Sequence, residues 1–247
     1  ADKNLIPENS QKFYSEKIIY MPHNYQVQND GLKTAKTAPS KTELGLPEDY
    51  FIFCAINNNY KILPEVFDTW MKLLEEVEQS VLWLLETNGA AKNNLLKEAR
   101  ARKINSDRII FMKKTTHDIY LSQFQHADLF LDTFVYNAGA TASNALWMGL
   151  PVLTKIGQSY TSRMASSLLN SIGLPELITS STEAYIKLAV ALATDTNKLN
   201  SIKLKLKENR LKKPLFNTEK FTRDFEIGLQ KVYKNYLENN EPKNISV

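Results

Sequence analysis

Three short stretches hold groups that could grip a diphosphate. Asn57-Asn58-Asn59-Tyr60-Lys61 offers amides and one ammonium, and the segment Lys113 to Tyr120 brings together Lys113, Lys114, Thr115, Thr116, His117 and Tyr120. In the third, Asn137 to Asn144, Gly139 and three alanines leave the backbone N–H groups almost uncovered. Uncovered N–H groups at a helix start attract phosphate oxygens, because the first turn has no internal acceptor for them and the helix dipole is positive there. A lysine would add charge, an aromatic ring a surface for a base, and amides hydrogen bonds for a ribose. The loop also has a plainer reading, since any strand-loop-helix unit needs a tight connection and small residues supply one. It is neither a P-loop nor a GxGxxG fingerprint.

Each stretch follows an apolar run. FIFCAI (51 to 56) precedes the first, RIIF (108 to 111) the second and the run Leu129 to Leu131 the third, so all three sit where strands end. Between the runs lie helical patterns, beginning with Pro64 and the stripe Val66, Trp70, Leu73 and Val77. VLWLL (81 to 85), Pro151 to Thr154 and a weak Leu177-Ile178 complete six candidate strands. Further helices are expected at about 93–102, 119–125, 159–171 (stopped by Gly173), 182–193 and 197–210, with a short one ending at Gly149. Strands alternating with helices predict an α/β fold, a doubly wound parallel sheet of Rossmann type over about 49–213. In such sheets ligands bind at the carboxyl ends of the strands, where the three stretches fall.

Residues 1–48 read as one strand, Ile18 to Met21, and a long polar loop leading in from an upstream domain. Residues 214–247 read as a final helix, Thr218 to Leu237, and a tail. That helix carries Phe221, Phe225, Leu229, Val232 and Tyr236 at helical spacing, a stripe expected to be core.

Composition excludes several classes. With 247 residues and 43% hydrophobic content the chain can bury a core, and no apolar run approaches the roughly 18 residues of a membrane span. The first residues lack the apolar centre of a signal peptide, so a cytoplasmic protein is expected. Cys54 stands alone inside an apolar run, and His23, His117 and His126 show no metal-ligand spacing, so neither a disulfide nor a metal is expected. The net charge of +4 gathers in the lysines from Lys198 to Lys213, which read as a solvated helix face and not as a nucleic-acid surface. Asn244-Ile245-Ser246 fits a glycosylation acceptor, with no secretory signal to support it.

In this order and spacing, INNNYKI, SVLWLL, DRIIF, ADLFLDT, YNAGATASNALWMGLPVLT, SRMASSLL, GLPELI and PLFNT resemble the catalytic region of the O-linked N-acetylglucosamine transferases. Those enzymes and the SPINDLY proteins are inverting glycosyltransferases of the GT-B fold. The segment Glu16 to Asp30 is similar to their entry into a second Rossmann domain. The resemblance implies the donor-binding half of such an enzyme, with UDP-N-acetylglucosamine as donor substrate, a protein acceptor, and no cofactor or metal. The family's first Rossmann domain and tetratricopeptide region lie outside these residues. Lys61 matches the lysine on the donor diphosphate, where its ammonium would offset charge growing on the leaving group. Asn58 matches a glutamine near the donor, and Tyr120 a histidine set against the uracil. Thr115, His117, Gly139, Ala140, Thr141 and Asn144 fall in the matching donor-binding segments.

There are departures from the family pattern. Its Asn, Gly or Ala, His, Thr, Thr loop is here Asn137, Ala138, Gly139, Ala140, Thr141; its ribose-binding aspartate is Asn144, and an arginine of the preceding helix is Gln123. A lost hydroxyl hydrogen bond typically costs about 0.5–1.5 kcal/mol. Plainer roles stay open: Lys61 as a solvated lysine at a helix start, Tyr120 as a core aromatic, Thr141 and Asn144 as helix caps, Arg163 as structural. The altered positions also leave open a GDP-fucose donor, as in the SPINDLY branch, or a non-catalytic binding module.

Overall fold

The computed structural model describes residues 1–247. Six parallel strands form its central sheet: β2 (Phe51–Ala55), β3 (Ser80–Leu85), β4 (Ile109–Met112), β5 (Leu129–Leu131), β6 (Val152–Lys155) and β7 (Ile178–Thr179). They stand in the order β4-β3-β2-β5-β6-β7. The two halves of the doubly wound sheet therefore diverge from β2 and β5, which pair through Phe53 with Leu129 and Cys54 with Phe130. Nearly every residue of β2, β3 and β5 is buried, as strands covered on both faces require. Helices α1 (Pro64–Glu76), α2 (Gly89–Ala101), α3 (His117–Gln123), α4 (Ala140–Trp147), α5 (Met164–Ile172) and α6 (Thr182–Thr194) connect or follow the strands. α1 packs on α6, α6 in turn on the long α7 (Thr196–Lys212), and α4, α5 and α7 pack with one another.

Local chemistry explains most boundaries. Pro64 occupies the first turn of α1, and Val66, Trp70 and Leu73 are fully buried on its inner stripe. Gly173 ends α5 in the left-handed region, φ 75°, a conformation open to it because it has no Cβ. α2 begins at Gly89, before the expected 93, because the Asn88 side chain accepts from the amide of Ala91 and so opens the helix earlier. α5 begins at Met164, the residues before it forming a tight turn capped by Ser159. The lysines of α7 lie on a solvated face, with Lys203 on Asp128 at 3.1 Å and Lys205 on Glu176 at 2.6 Å. No helix is long and apolar enough to cross a membrane.

The ends of the chain are joined. Strand β1 (Ile19–Tyr20) pairs in parallel with β8 (Ile245–Ser246), a strand in what the sequence suggests is a plain tail. Asn244 clamps the pair, its side chain accepting from the Ile18 amide at 2.8 Å and donating to Gln11 at 2.8 Å. The last helix, α8 (Thr218–Leu237), runs beside this pair, with Gly228 against Ile19 and Val247. The expectation that its apolar stripe is core is corrected here. Phe225 is 45%, Leu229 47% and Tyr236 72% exposed, and of the helix only Gly228 is buried. Phe221 at the start of the stripe is half-buried, but beyond it the face is open, so amphipathic spacing produced a helix with most of one side uncovered.

Candidate functional site

The loops after β2 and β5 leave adjacent strands at the point where the strand order reverses, and they meet. Lys61 ends a single 3-10 turn, Asn59–Lys61, and its ammonium donates to the carbonyl of Asn137 at 2.9 Å while lying 3.9 Å from the centre of the Tyr136 ring. Burial pulls its pKa down, and the negative charge of Asp132 pulls it back up. The loop from Asp132 to Gly139 is held from within. Thr133 donates to the Tyr136 carbonyl at 2.6 Å, Asn137 donates through its side chain to the Thr133 carbonyl at 2.6 Å, and the Asn137 amide donates to Thr161 at 2.9 Å.

Asp132 is the anchor beneath this loop, and the candidate residues inferred from sequence do not include it. It is fully buried; Oδ1 accepts from the amides of Thr133 and Ala138 at 2.9 and 2.7 Å, and Oδ2 from the Thr154 hydroxyl at 2.7 Å. Burial raises its pKa to about 7, against the opposing effect of these donors and of Lys61. The available signal was a carboxylate directly following an all-apolar strand, where only a hydrogen-bonded acid is tolerated.

Above Asp132 the chain turns into α4. No side chain caps this helix, so Thr141 and Asn144 do not have the capping role that was left open for them. The amides of Gly139, Ala140 and Thr141 donate to no acceptor in the protein. Gly139 is itself tightly enclosed. A Cβ there would stand 2.7 Å from Met164 Cε and 3.1 Å from the hydroxyl of Tyr25, so a larger residue would displace its neighbours.

Beside the helix start lies a cleft of about 350 Å³ that brings together Asn58, Thr115, His117, Tyr120 and Thr141 with Lys113 and Lys114. His117 and Tyr120 stack, with centroids 5.9 Å apart and planes at 30°. The Tyr120 hydroxyl lies beside the Thr141 and Asn144 side chains, which hold its pKa down while burial drives it up. Tyr120 therefore both lines the cleft and packs on the core, its edge against Phe124 at 5.0 Å. Lys61, Gly139 and Ala140 do not line this cleft, and neither does Gln123, which is buried with its side-chain oxygen unpartnered. Arg163 binds the carbonyls of Asn4 and Gly157, tying the N-terminal segment to the loop after β6. A larger hollow, about 710 Å³, opens among Tyr50, Gln79, Asp128 and Lys203 at the amino ends of the strands, far from these groups.

This arrangement offers an ammonium, a row of free amides and an aromatic-walled cleft along one rim, a set suited to a diphosphate joined to a base. Comparison with known proteins adds a family match. The family model described as glycosyl transferase family 41 matches residues 30–225. The chain is 31% identical over 253 residues to a probable UDP-N-acetylglucosamine–peptide N-acetylglucosaminyltransferase, SEC, of Arabidopsis thaliana, covering 100% of this chain and 26% of that protein. It is 31% identical over 214 residues to the UDP-N-acetylglucosamine–peptide N-acetylglucosaminyltransferase of Caenorhabditis elegans, covering 87% of this chain and 19% of the relative. Among solved structures it is similar to a mutant O-GlcNAc transferase of Thermobaculum terrenum, with TM-score 0.80 and 26% identity over 94% of this chain and 44% of that one. The chain thus spans about a quarter of the length of the curated relatives it matches.

Proposed function

The chain belongs to glycosyl transferase family 41, and from that premise we propose that its site holds the diphosphate of a nucleotide-sugar, UDP-N-acetylglucosamine, for inverting transfer of the sugar to a protein hydroxyl. The observation that carries this reading is the Lys61 ammonium meeting the loop of free amides across the reversal point of the sheet, 2.9 Å from the Asn137 carbonyl.

In the proposed reaction the oxygen of an acceptor hydroxyl attacks the anomeric carbon from one face and releases its proton, while the bond to the diphosphate oxygen breaks on the other and its electron pair goes to the diphosphate. The leaving diphosphate gains negative charge as that bond breaks. Lys61 and the amides of Gly139, Ala140 and Thr141 would offset it, being fixed in place before reaction and partly shielded from water. Thr141 would donate a hydroxyl, while the cleft faced by Tyr120 and His117 would receive the base, with Asn58, Thr115 and Asn144 supplying polar contacts. The donor half of the reaction is what these residues account for. A protein acceptor, upstream Rossmann and tetratricopeptide domains, and a cytoplasmic location belong to the same proposal.

Isothermal titration of the chain with UDP tests the reading. Lys61→Ala should weaken binding roughly ten- to a hundredfold, the range of one charge-assisted contact. No heat of binding for UDP at millimolar concentration would refute the site, and tighter binding of GDP would transfer the assignment to a guanosine-linked donor.

A further inference from the structure

Tyr25 belongs to the N-terminal segment, outside the six-stranded sheet, yet its hydroxyl reaches the anion loop. The oxygen is shut off from solvent and has no hydrogen-bond partner in the protein. It sits 3.1 Å from where a Cβ of Gly139 would be, so with Met164 it fills the space a side chain at position 139 would occupy. The ring is held edge-on against Tyr160, with centroids 6.1 Å apart. The segment that carries it is tied down on both sides: the Met21 amide donates to Ala1 at 2.7 Å, and the Thr218 hydroxyl to the Gln28 carbonyl at 2.8 Å.

A phenol stripped of water and given no acceptor is unfavourable unless something arrives to accept its proton. What the neighbouring groups attract is an anion. An amide nitrogen lies roughly 2.5 Å from the Cβ of its own residue, so the Tyr25 oxygen is at most about 5.6 Å from the Gly139 nitrogen. That separation is short enough for one oxygen to accept from both at about 2.9 Å.

We propose that Tyr25 is a donor-binding residue, its hydroxyl donating to the same diphosphate oxygen that the free amides at Gly139 and Ala140 hold. The proposal rests on the diphosphate reading of the site and adds to it a contact from outside the Rossmann domain. Burial and the acidic groups around it, Asp2 and Asp132 with the phenols of Tyr160 and Tyr136, all raise the Tyr25 pKa, so the phenol stays protonated and can donate. The side chain absent at Gly139 is thus replaced by a hydroxyl delivered from a different part of the chain.

The test is Tyr25→Phe in the full chain, which removes one oxygen and keeps the ring. Titration calorimetry with UDP should show affinity falling about five- to thirtyfold, the range of one hydrogen bond to a charged group. Uridine, which has no phosphate, should bind both proteins equally, and the melting temperature without ligand should not fall. Equal UDP affinity for the two proteins overturns the Tyr25 proposal and leaves the site standing. Equal loss for UDP and uridine also overturns it, by showing that the substitution acts through folding. A wild-type chain that binds no UDP overturns the site and the Tyr25 proposal together.

Discussion

At Asp132 one carboxylate supports two backbone amides and a hydroxyl from the next strand, within a site where its charge is costly. Its pKa is raised from an ordinary 3.8 to about 7. A raised acid pKa means the folded chain holds the proton more tightly than the unfolded one. The stability this contributes is therefore present below about pH 4 and lost as the pH climbs to about 7. An amide at this position does not titrate, so Asp132→Asn should gain on the wild type across that interval, by on the order of a few kcal/mol. Denaturant unfolding of both proteins at several pH values checks this. A stability gap that stays constant from pH 4 to 8 would show that Asp132 does not titrate as described.

Among the elements, burial separates a strand at the centre of the sheet from a helix at its margin. Leu82 in the centre of β3 is fully buried, and Leu82→Ala should cost about 2–5 kcal/mol through lost packing and the cavity left behind. Leu229 on the open face of α8 is 47% exposed, and Leu229→Lys should change stability by less than about 0.5 kcal/mol. Thermal melts of the two variants decide the point, and a large loss for Leu229→Lys would mean that something covers this helix. The difference also marks what sequence alone could convey. Five of the six strands were legible because parallel strands buried on both faces read as unbroken apolar runs, as in FIFCAI and SVLWLL, whereas the two-residue edge strand Ile178–Thr179 left only a weak signal. Periodicity in α8 shows that one side is apolar, yet it cannot say what lies opposite. The two residues of β8, set in a polar tail, carry no strand signal at all. Around the site, Lys61 and the small-residue loop were legible from type and spacing, because their chemistry is local. Asp132 left one local trace, an acid directly after an apolar strand, though its hydroxyl partner comes from the next strand; Tyr25 left none, since it acquires its meaning only from Gly139, distant in the chain.

For the molecule as a whole, the pairing of β1 with β8 forms a second, smaller seat of order beside the main sheet. Asn244→Ala removes the acceptor of the Ile18 amide and should destabilise this pairing by about 1–2 kcal/mol. Hydrogen exchange should then quicken at the amides of Ile18, Ile245 and Val247, while those of β2 and β3 keep their protection. Uniform acceleration across the sheet would instead show that the molecule opens as one cooperative unit. The segment carrying Tyr25 begins immediately after β1, so binding of a diphosphate and closure of this pair should reinforce each other, and UDP should slow exchange at Ile245.

The residues joined by that clamp are 226 positions apart. During synthesis on the ribosome, Ile18 emerges long before Asn244 is added, and the Rossmann strands between them can assemble in the meantime. The entropic penalty of closing so long a loop grows only logarithmically with its length, so distance alone is a modest obstacle. Order of appearance matters more. The segment around Ile18 has to wait, unpaired, for residues translated 226 positions later, and a nascent chain stalled before Asn244 would present a finished sheet with that segment still loose to any chaperone or protease nearby.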